Sequence, residues 1–169
     1  KHVGGAVAFD LPTEAQWEFA CRAGSPTGLY TGLDITSSNP CANLESIARY
    51  NGNCNNGHAI IELGNTTVGP DTATAVVGTY EPNKFGLYDM LGNVREFCLD
   101  RYDETDNYGR DAIDPVGPVN DAVDALCACR GGSYVDAPNG CRSAKRFTQR
   151  WLINTRSKSL LQIRLAKNM

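Results

Sequence analysis

Residues 83–100 read Asn-Lys-Phe-Gly-Leu-Tyr-Asp-Met-Leu-Gly-Asn-Val-Arg-Glu-Phe-Cys-Leu-Asp, and the rest of the chain is best read outward from them. Pro82-Asn83 predicts a turn, and Phe85, Leu87 and Tyr88 supply apolar bulk for a core. Asp89, Gly92, Asn93 and Glu96 then set oxygen donors around a glycine at which the chain bends sharply. The loop has a carboxylate at each end, Asp89 and Glu96, with the carbonyls of Gly92 and Val94 between. That is a donor set for one hard cation. Calcium suits it, because it accepts roughly six to eight oxygen ligands in flexible geometry. The competing reading pairs Asp89 and Glu96 with Arg95, Arg101 or arginines of the tail.

Upstream, Leu11-Pro12 leads into a predicted helix. Thr13 is a good N-cap, and Gln16 three residues on completes a capping box. Glu14 in the first turn suits the helix dipole. Trp17, Ala20 and Cys21 fall on one face, and Gly24 ends the helix. Glu18 reads as an ion-pair partner for the basic tail rather than as a catalytic acid. Residues 24–80, rich in Gly, Asn, Thr, Ser and Pro, predict long loops with short strands. Asn51-Gly52 is a turn, Asn65-Thr66-Thr67 a formal glycosylation sequon, and residues 76–80 a short strand. Residues 103–118 form an acidic loop. Residues 126–130 predict a strand ending in Gly131-Gly132, where the backbone can approach closely, and residues 163–166 the last strand. The fold class is α+β with low regular content.

The net charge of −3 conceals an asymmetry. Residues 1–129 carry 7 Lys and Arg against 18 Asp and Glu, and residues 130–169 carry 9 against 1. The favoured reading folds the basic tail back onto acidic partners. A nucleic-acid face at Arg146, Phe147, Arg150 and Trp151 is the sharper alternative, disfavoured by the overall acidity. Seven cysteines, an odd number, point to an exported protein with some disulfides, and Cys41 with Cys54 would staple the loop between them. Cys127 and Cys129 share one strand face. Without a second Cys/His pair at ligand spacing they read as buried small hydrophobes. No apolar run is long enough to span a membrane. Lys1-His2-Val3 reads as lying within a longer chain, so the expectation is one domain over 1–169, the C-terminal part of a larger one.

Four ordered blocks resemble the formylglycine-generating-enzyme (sulfatase-modifying-factor) family. They are the Leu11–Ala20 run, Asn83–Asp100, Arg130-Gly131-Gly132-Ser133-Tyr134, and Cys141-Arg142-Ser143-Ala144 with a closing Ile163-Arg164-Leu165-Ala166. Arg95 and Phe97 stand where tryptophans are usual. The resemblance implies a C-type-lectin-like fold of that family's type, whose loops carry the function. It implies a Cys21–Cys141 disulfide. It puts Arg49 where a second calcium site of the family has an Asn, which argues against that second site. It also implies where an oxidase would keep its copper-binding thiolates, soon after Arg-Gly-Gly-Ser-Tyr. Here that interval is Val135-Asp136-Ala137-Pro138-Asn139-Gly140, with neither Cys nor His. His2 and His58 lie near no motif, and Ser133 has no His at a placeable position for hydrolase chemistry.

In the last forty residues the framework positions look like the family and the residues between them do not. That pattern resembles the variable proteins of diversity-generating retroelements, which use this scaffold and diversify a segment equivalent to 130–169. The implied ligand-binding residues are Tyr134, Val135, Asp136, Asn139, Phe147, Gln149, Trp151, Leu152, Ile153 and Ser157. Rigid aromatic anchors beside adaptable polar groups suit such a face. Trp151, Leu152 and Ile153 cannot all point inward from one strand. The expectation is therefore a non-enzymatic, monomeric binding protein with structural calcium and a protein or cell-surface ligand. It binds no nucleic acid and is displayed at the cell surface or outside the cell, with the periplasm as the alternative. A sulfatase-maturation oxidase or its accessory is the second reading.

Overall fold

A computed structural model describes residues 9–54, 74–102, 113–117, 126–150, 161–162 and 166–167. The regular elements are β1 (Phe9–Asp10), α1 (Glu14–Arg22), β2 (Arg95–Arg101), β3 (Leu126–Arg130), β4 (Phe147–Arg150), β5 (Leu161–Gln162) and β6 (Ala166–Lys167). Short 3-10 turns lie at Ala42–Leu44 and Pro138–Cys141. The result is a mixed helix and strand fold with little regular structure.

The helix begins as its sequence dictates. Thr13 Oγ1 accepts from the Gln16 N–H, and the Gln16 side chain accepts from the Thr13 N–H, both at 3.1 Å. A further cap comes from far along the chain: the Glu14 N–H donates to Asp100 Oδ2 at 2.5 Å. An anion at this terminus also meets the positive end of the helix dipole. At the other end Ala23, at φ 45°, takes the left-handed position with Gly24 after it. Trp17 and Cys21 are buried from this helix, as their spacing requires, and Ala20 packs against the same core.

Four strands form one sheet in the order β4-β3-β2-β5. The β4-β3 and β3-β2 pairs are antiparallel, and β2 pairs with β5 in parallel through Arg95↔Leu161 and Glu96↔Gln162. Along β2, Glu96, Cys98 and Asp100 are buried while Leu99 is exposed, the alternation of a strand with one covered face. In β3, Cys127, Ala128, Cys129 and Arg130 are all buried, so both of its faces are covered. β1 and β6 make a separate two-stranded ribbon. Trp17, Cys21, Leu29, Tyr30, Leu44, Ile47, Tyr50, Met90, Leu91, Cys98, Ala128 and Cys141 form the core beneath α1 and the sheet.

Residues 76–80 are not a strand. They make a turn about Gly78, at φ +75°, closed by the Thr79 N–H to the Val76 carbonyl at 3.3 Å. Val76 and Val77 are exposed, so β-branched composition alone misled. The predicted sequon at Asn65 and most of the predicted last strand lie outside the described residues. No described helix is long and apolar enough to cross a membrane.

Candidate binding face and cation loop

Asn83 ties the central stretch to the helix. Its Oδ1 accepts from the Phe85 and Leu87 N–H groups, and its Nδ2 donates to the Ala20 carbonyl at 2.7 Å and the Cys21 carbonyl at 3.1 Å. One buried side chain thus shapes a turn and caps two terminal carbonyls of α1. The turn at Asp89–Gly92 follows. Asp89 and Asn93 both adopt positive φ, 55° and 59°, a conformation that short polar side chains tolerate better than most. Gly92 has φ +71°, and a Cβ there would sit 2.1 Å from the Arg49 carbonyl oxygen. Only glycine lets the two backbones meet so closely.

Asp89 is buried. Its Oδ2 accepts from the Gly78 N–H at 2.7 Å, and its Oδ1 is enclosed without a hydrogen-bond partner among the described residues. An enclosed carboxylate oxygen is costly unless something compensates it. Glu96 is buried too, and its Oε2 accepts from the Trp17 indole N–H at 2.7 Å. Arg95 turns to Asp136, with Nη2 2.6 Å from its Oδ1. Among the described residues no three His, Cys, Asp or Glu side chains cluster around a metal position. A cation here would depend on main-chain carbonyls as well as on Asp89 and Glu96.

The start of the tail is fastened to this loop by main-chain bonds. The Gly92 N–H donates to the Gly131 carbonyl at 2.7 Å, the Tyr134 N–H to the Asn93 carbonyl at 2.9 Å, and the Asn51 N–H to the Asp136 carbonyl at 3.1 Å. Arg95 then forks onto Asp136, with Nε at 3.1 Å and Nη2 at 2.6 Å, and Ser133 Oγ donates to Asp136 Oδ2 at 2.6 Å. The Arg95 guanidinium also lies over the Phe147 ring, 4.0 Å from its centre. The predicted ligand-binding residues therefore separate into two groups. Asp136 and Phe147 are engaged within the protein. Tyr134, Val135 and Gln149 are half-buried and Asn139 is exposed beside them. Trp151, Leu152, Ile153 and Ser157 lie outside the described residues.

The tail folds back as its charge suggested. Arg130 is buried, with Nη2 on Glu18 Oε2 and Nη1 3.5 Å from Glu14. Arg146 forks onto Glu14 with both bonds at 2.7 Å. The Cys21–Cys141 disulfide that the resemblance implies is not formed in the structure, where both are free thiols. The Cys21 thiol is turned toward Ser143 Oγ, 3.5 Å away, and burial pushes its pKa up to about 12. Burial likewise raises the Cys141 thiol, with the Asp136 carboxylate adding to the rise and the Arg95 guanidinium opposing it. Cys127 accepts from Arg101 Nη1 at 2.7 Å. The Asp136 clamp and the Asp100 cap were invisible in the sequence, since each joins residues far apart along the chain.

The profile of the sulfatase-modifying factor enzyme 1-like domain matches residues 2–169. The chain belongs to this family. It is 34% identical over 132 residues to the formylglycine-generating enzyme of Streptomyces coelicolor, covering 78% of this chain and 38% of that protein. It is 33% identical over 136 residues to the serine/threonine-protein kinase pkn1 of Chlamydia pneumoniae, covering 80% of this chain and 18% of the kinase. This family member thus spans well under half the length of these relatives. Its fold matches Treponema denticola variable protein 1 with a TM-score of 0.64 and 28% identity, over 93% of this chain and 46% of that one. It also matches PvdO from Pseudomonas aeruginosa with a TM-score of 0.66 over 95% of this chain and 53% of that one, at 23% identity.

Proposed function

We propose that this chain is a non-enzymatic ligand-binding protein on a C-type-lectin-like scaffold of the sulfatase-modifying-factor family, with its ligand held by the tail. The observation that carries the reading is the Gly131–Asp136 loop. Its backbone is bonded to Asn93, Gly92 and Asn51 and its Asp136 is clamped by Arg95 and Ser133, while Tyr134, Val135 and Asn139 keep accessible surface. A stiff loop with variable side chains binds with less ordering cost than a mobile one. The likeness to variable protein 1 supports the same reading. The partner is a protein or cell-surface ligand, and display is extracellular or at the cell surface.

Calcium belongs to the scaffold in this reading. The enclosed Asp89 Oδ1 is an oxygen that a cation would compensate, with Glu96 and the carbonyls of Gly92 and Val94 completing the donor set. A bound ion stabilises the native state by mass action. Calcium should therefore raise the melting temperature saturably, a chelator should reverse the rise, and Asp89→Ala should abolish it. A chelator-insensitive melt would remove the ion from this account.

The reading is tested by replacing Tyr134, Val135, Asn139 and Gln149 together with alanine and screening cell-surface extracts and purified surface proteins by interferometry. A ligand captured by the parent and lost by the quadruple variant, at an unchanged melting temperature, is the expected result. The identity to formylglycine-generating enzymes keeps a sulfatase-maturation oxidase as the second reading. Aldehyde formation on a Cys-x-Pro-x-Arg peptide in the presence of copper would establish it and overturn the first.

A further inference from the structure

The four-stranded sheet ends at β4, which is bonded to β3 on one side through Leu126↔Arg150, Cys127↔Gln149, Ala128↔Thr148 and Cys129↔Phe147. Alternate residues of an edge strand turn their N–H and C=O groups away from the neighbour. Among the described residues, no main-chain bond beyond the β3 ladder takes those groups of Phe147–Arg150. Thr148 and Arg150 are exposed, while Phe147 and Gln149 are half-buried. Each face of this edge carries a cation. Arg150 shares a face with Thr148, because residues alternate along a strand. Lys145 lies on the other face, with Nζ 5.3 Å from the centre of the Phe147 ring. The neighbouring arginines are already engaged, Arg146 by Glu14 and Arg95 by Asp136. Among the described residues, neither Lys145 nor Arg150 has a carboxylate within ion-pair distance.

We propose that an extended, acidic peptide segment of the ligand adds to the sheet as a strand beside β4. Opposite charges facing each other across a strand pair stabilise it, and like charges destabilise it. This edge therefore repels a second copy of itself, whichever way the copy runs, and admits a strand of the opposite sign. Lys145 and Arg150 stand five positions apart, on opposite faces. The matching segment carries two acidic side chains at the same spacing. Main-chain bonds supply its affinity and the two charges fix its register. This names the ligand class for the face that holds Gln149, and it rests on the reading of the tail as that face.

The test titrates the whole chain with the capped octapeptide Val-Glu-Val-Thr-Val-Thr-Glu-Val, read by amide resonances and by hydrogen exchange at Phe147–Arg150. Saturable binding with slowed exchange of β4 amides is expected. The isomer Val-Glu-Val-Thr-Val-Glu-Thr-Val sets both acids on one face and should bind severalfold more weakly. The lysine counterpart of the first peptide should bind roughly tenfold more weakly, because two attractive pairs become repulsive. Lys145→Glu with Arg150→Glu, both at the surface, should invert that order at an unchanged melting temperature. Either single variant should narrow the gap if the double one fails to fold. Methylating alternate peptide amides gives two further probes. A strand added on one side shows β4 only every second N–H, so one probe should bind like the parent and the other should not bind. No saturable binding, unprotected β4 amides, equal binding of the isomer, an order that the variants leave unchanged, or equal behaviour of the two methylated probes overturns the proposal. So does binding of heparin with none of the peptides, which would assign the charge to a sulfated glycan. Loss of a captured ligand in the quadruple alanine variant, with no acidic strand bound at β4, would leave the binding face standing and overturn only this inference.

Discussion

Asp100 does the work of two residues. It accepts from the Glu14 N–H at the start of α1 and from the Gly117 N–H, so a single carboxylate at the end of β2 holds a helix terminus and a loop together. Asp100→Ala should cost about 2–4 kcal/mol, because two buried donors lose a charged acceptor. Thr13→Ala should cost about 1 kcal/mol, the ordinary worth of an N-cap. Urea melts of both variants check the order, and an Asp100→Ala loss no larger than that of Thr13→Ala would remove the special role. Gly92→Ala meets the Arg49 carbonyl and a positive φ together. It should destabilise by about 2 kcal/mol or more, while Gly24→Ala, which has open space around its Cβ, should cost less. Equal losses in melting would locate the constraint in φ alone.

At the scale of elements, the helix was legible because its signals are local. The capping box, the acidic first turn and the Trp17/Cys21 face all lie within nine residues. The turn at Gly78 was not, because Val76 and Val77 look like strand residues until Gly78 is seen at positive φ. The helix and the sheet share a property: between them they bury thiols. Burial, the largest cause at each, pushes Cys21 and Cys129 from 9.0 up to about 12 and raises Cys98 further. An unfolded cysteine ionises near 9, so above that pH the native state holds more protons than the unfolded one. Stability from these groups is complete below pH 9 and declines as the pH rises toward 12, by up to about 1.4 kcal/mol per pH unit for each thiol. Urea melts in a reducing buffer from pH 8 to 10.5 should show the decline, and Cys129→Ala should make it shallower. An unaltered slope would mean that the thiol is not the group titrating.

For the whole molecule, the charge asymmetry proved to be an instruction for folding. Arg130 and Arg146 reach back to Glu14 and Glu18, and this pairing was readable from composition. The partner of Arg95 was not: composition offered Asp89 and Glu96, but the geometry gives it Asp136, 41 positions away. The oxygen donors between Asp89 and Glu96 could be read from the sequence, but not their partners: Glu96 answers the Trp17 indole, 79 positions away. Arg146→Met should cost about 2–4 kcal/mol, since it removes the two-bonded fork on the Glu14 carboxylate, which is 2% exposed. Differential scanning calorimetry would register it as a lower melting temperature, and an unchanged one would make the fold-back incidental.

The loop from Gly131 to Asp136 is stitched down by amides and carbonyls, which every residue except proline carries alike. An inherited or engineered change of letter at 134, 135 or 139 therefore leaves the stitching untouched. A different side chain at these positions would be carried by the same main-chain frame.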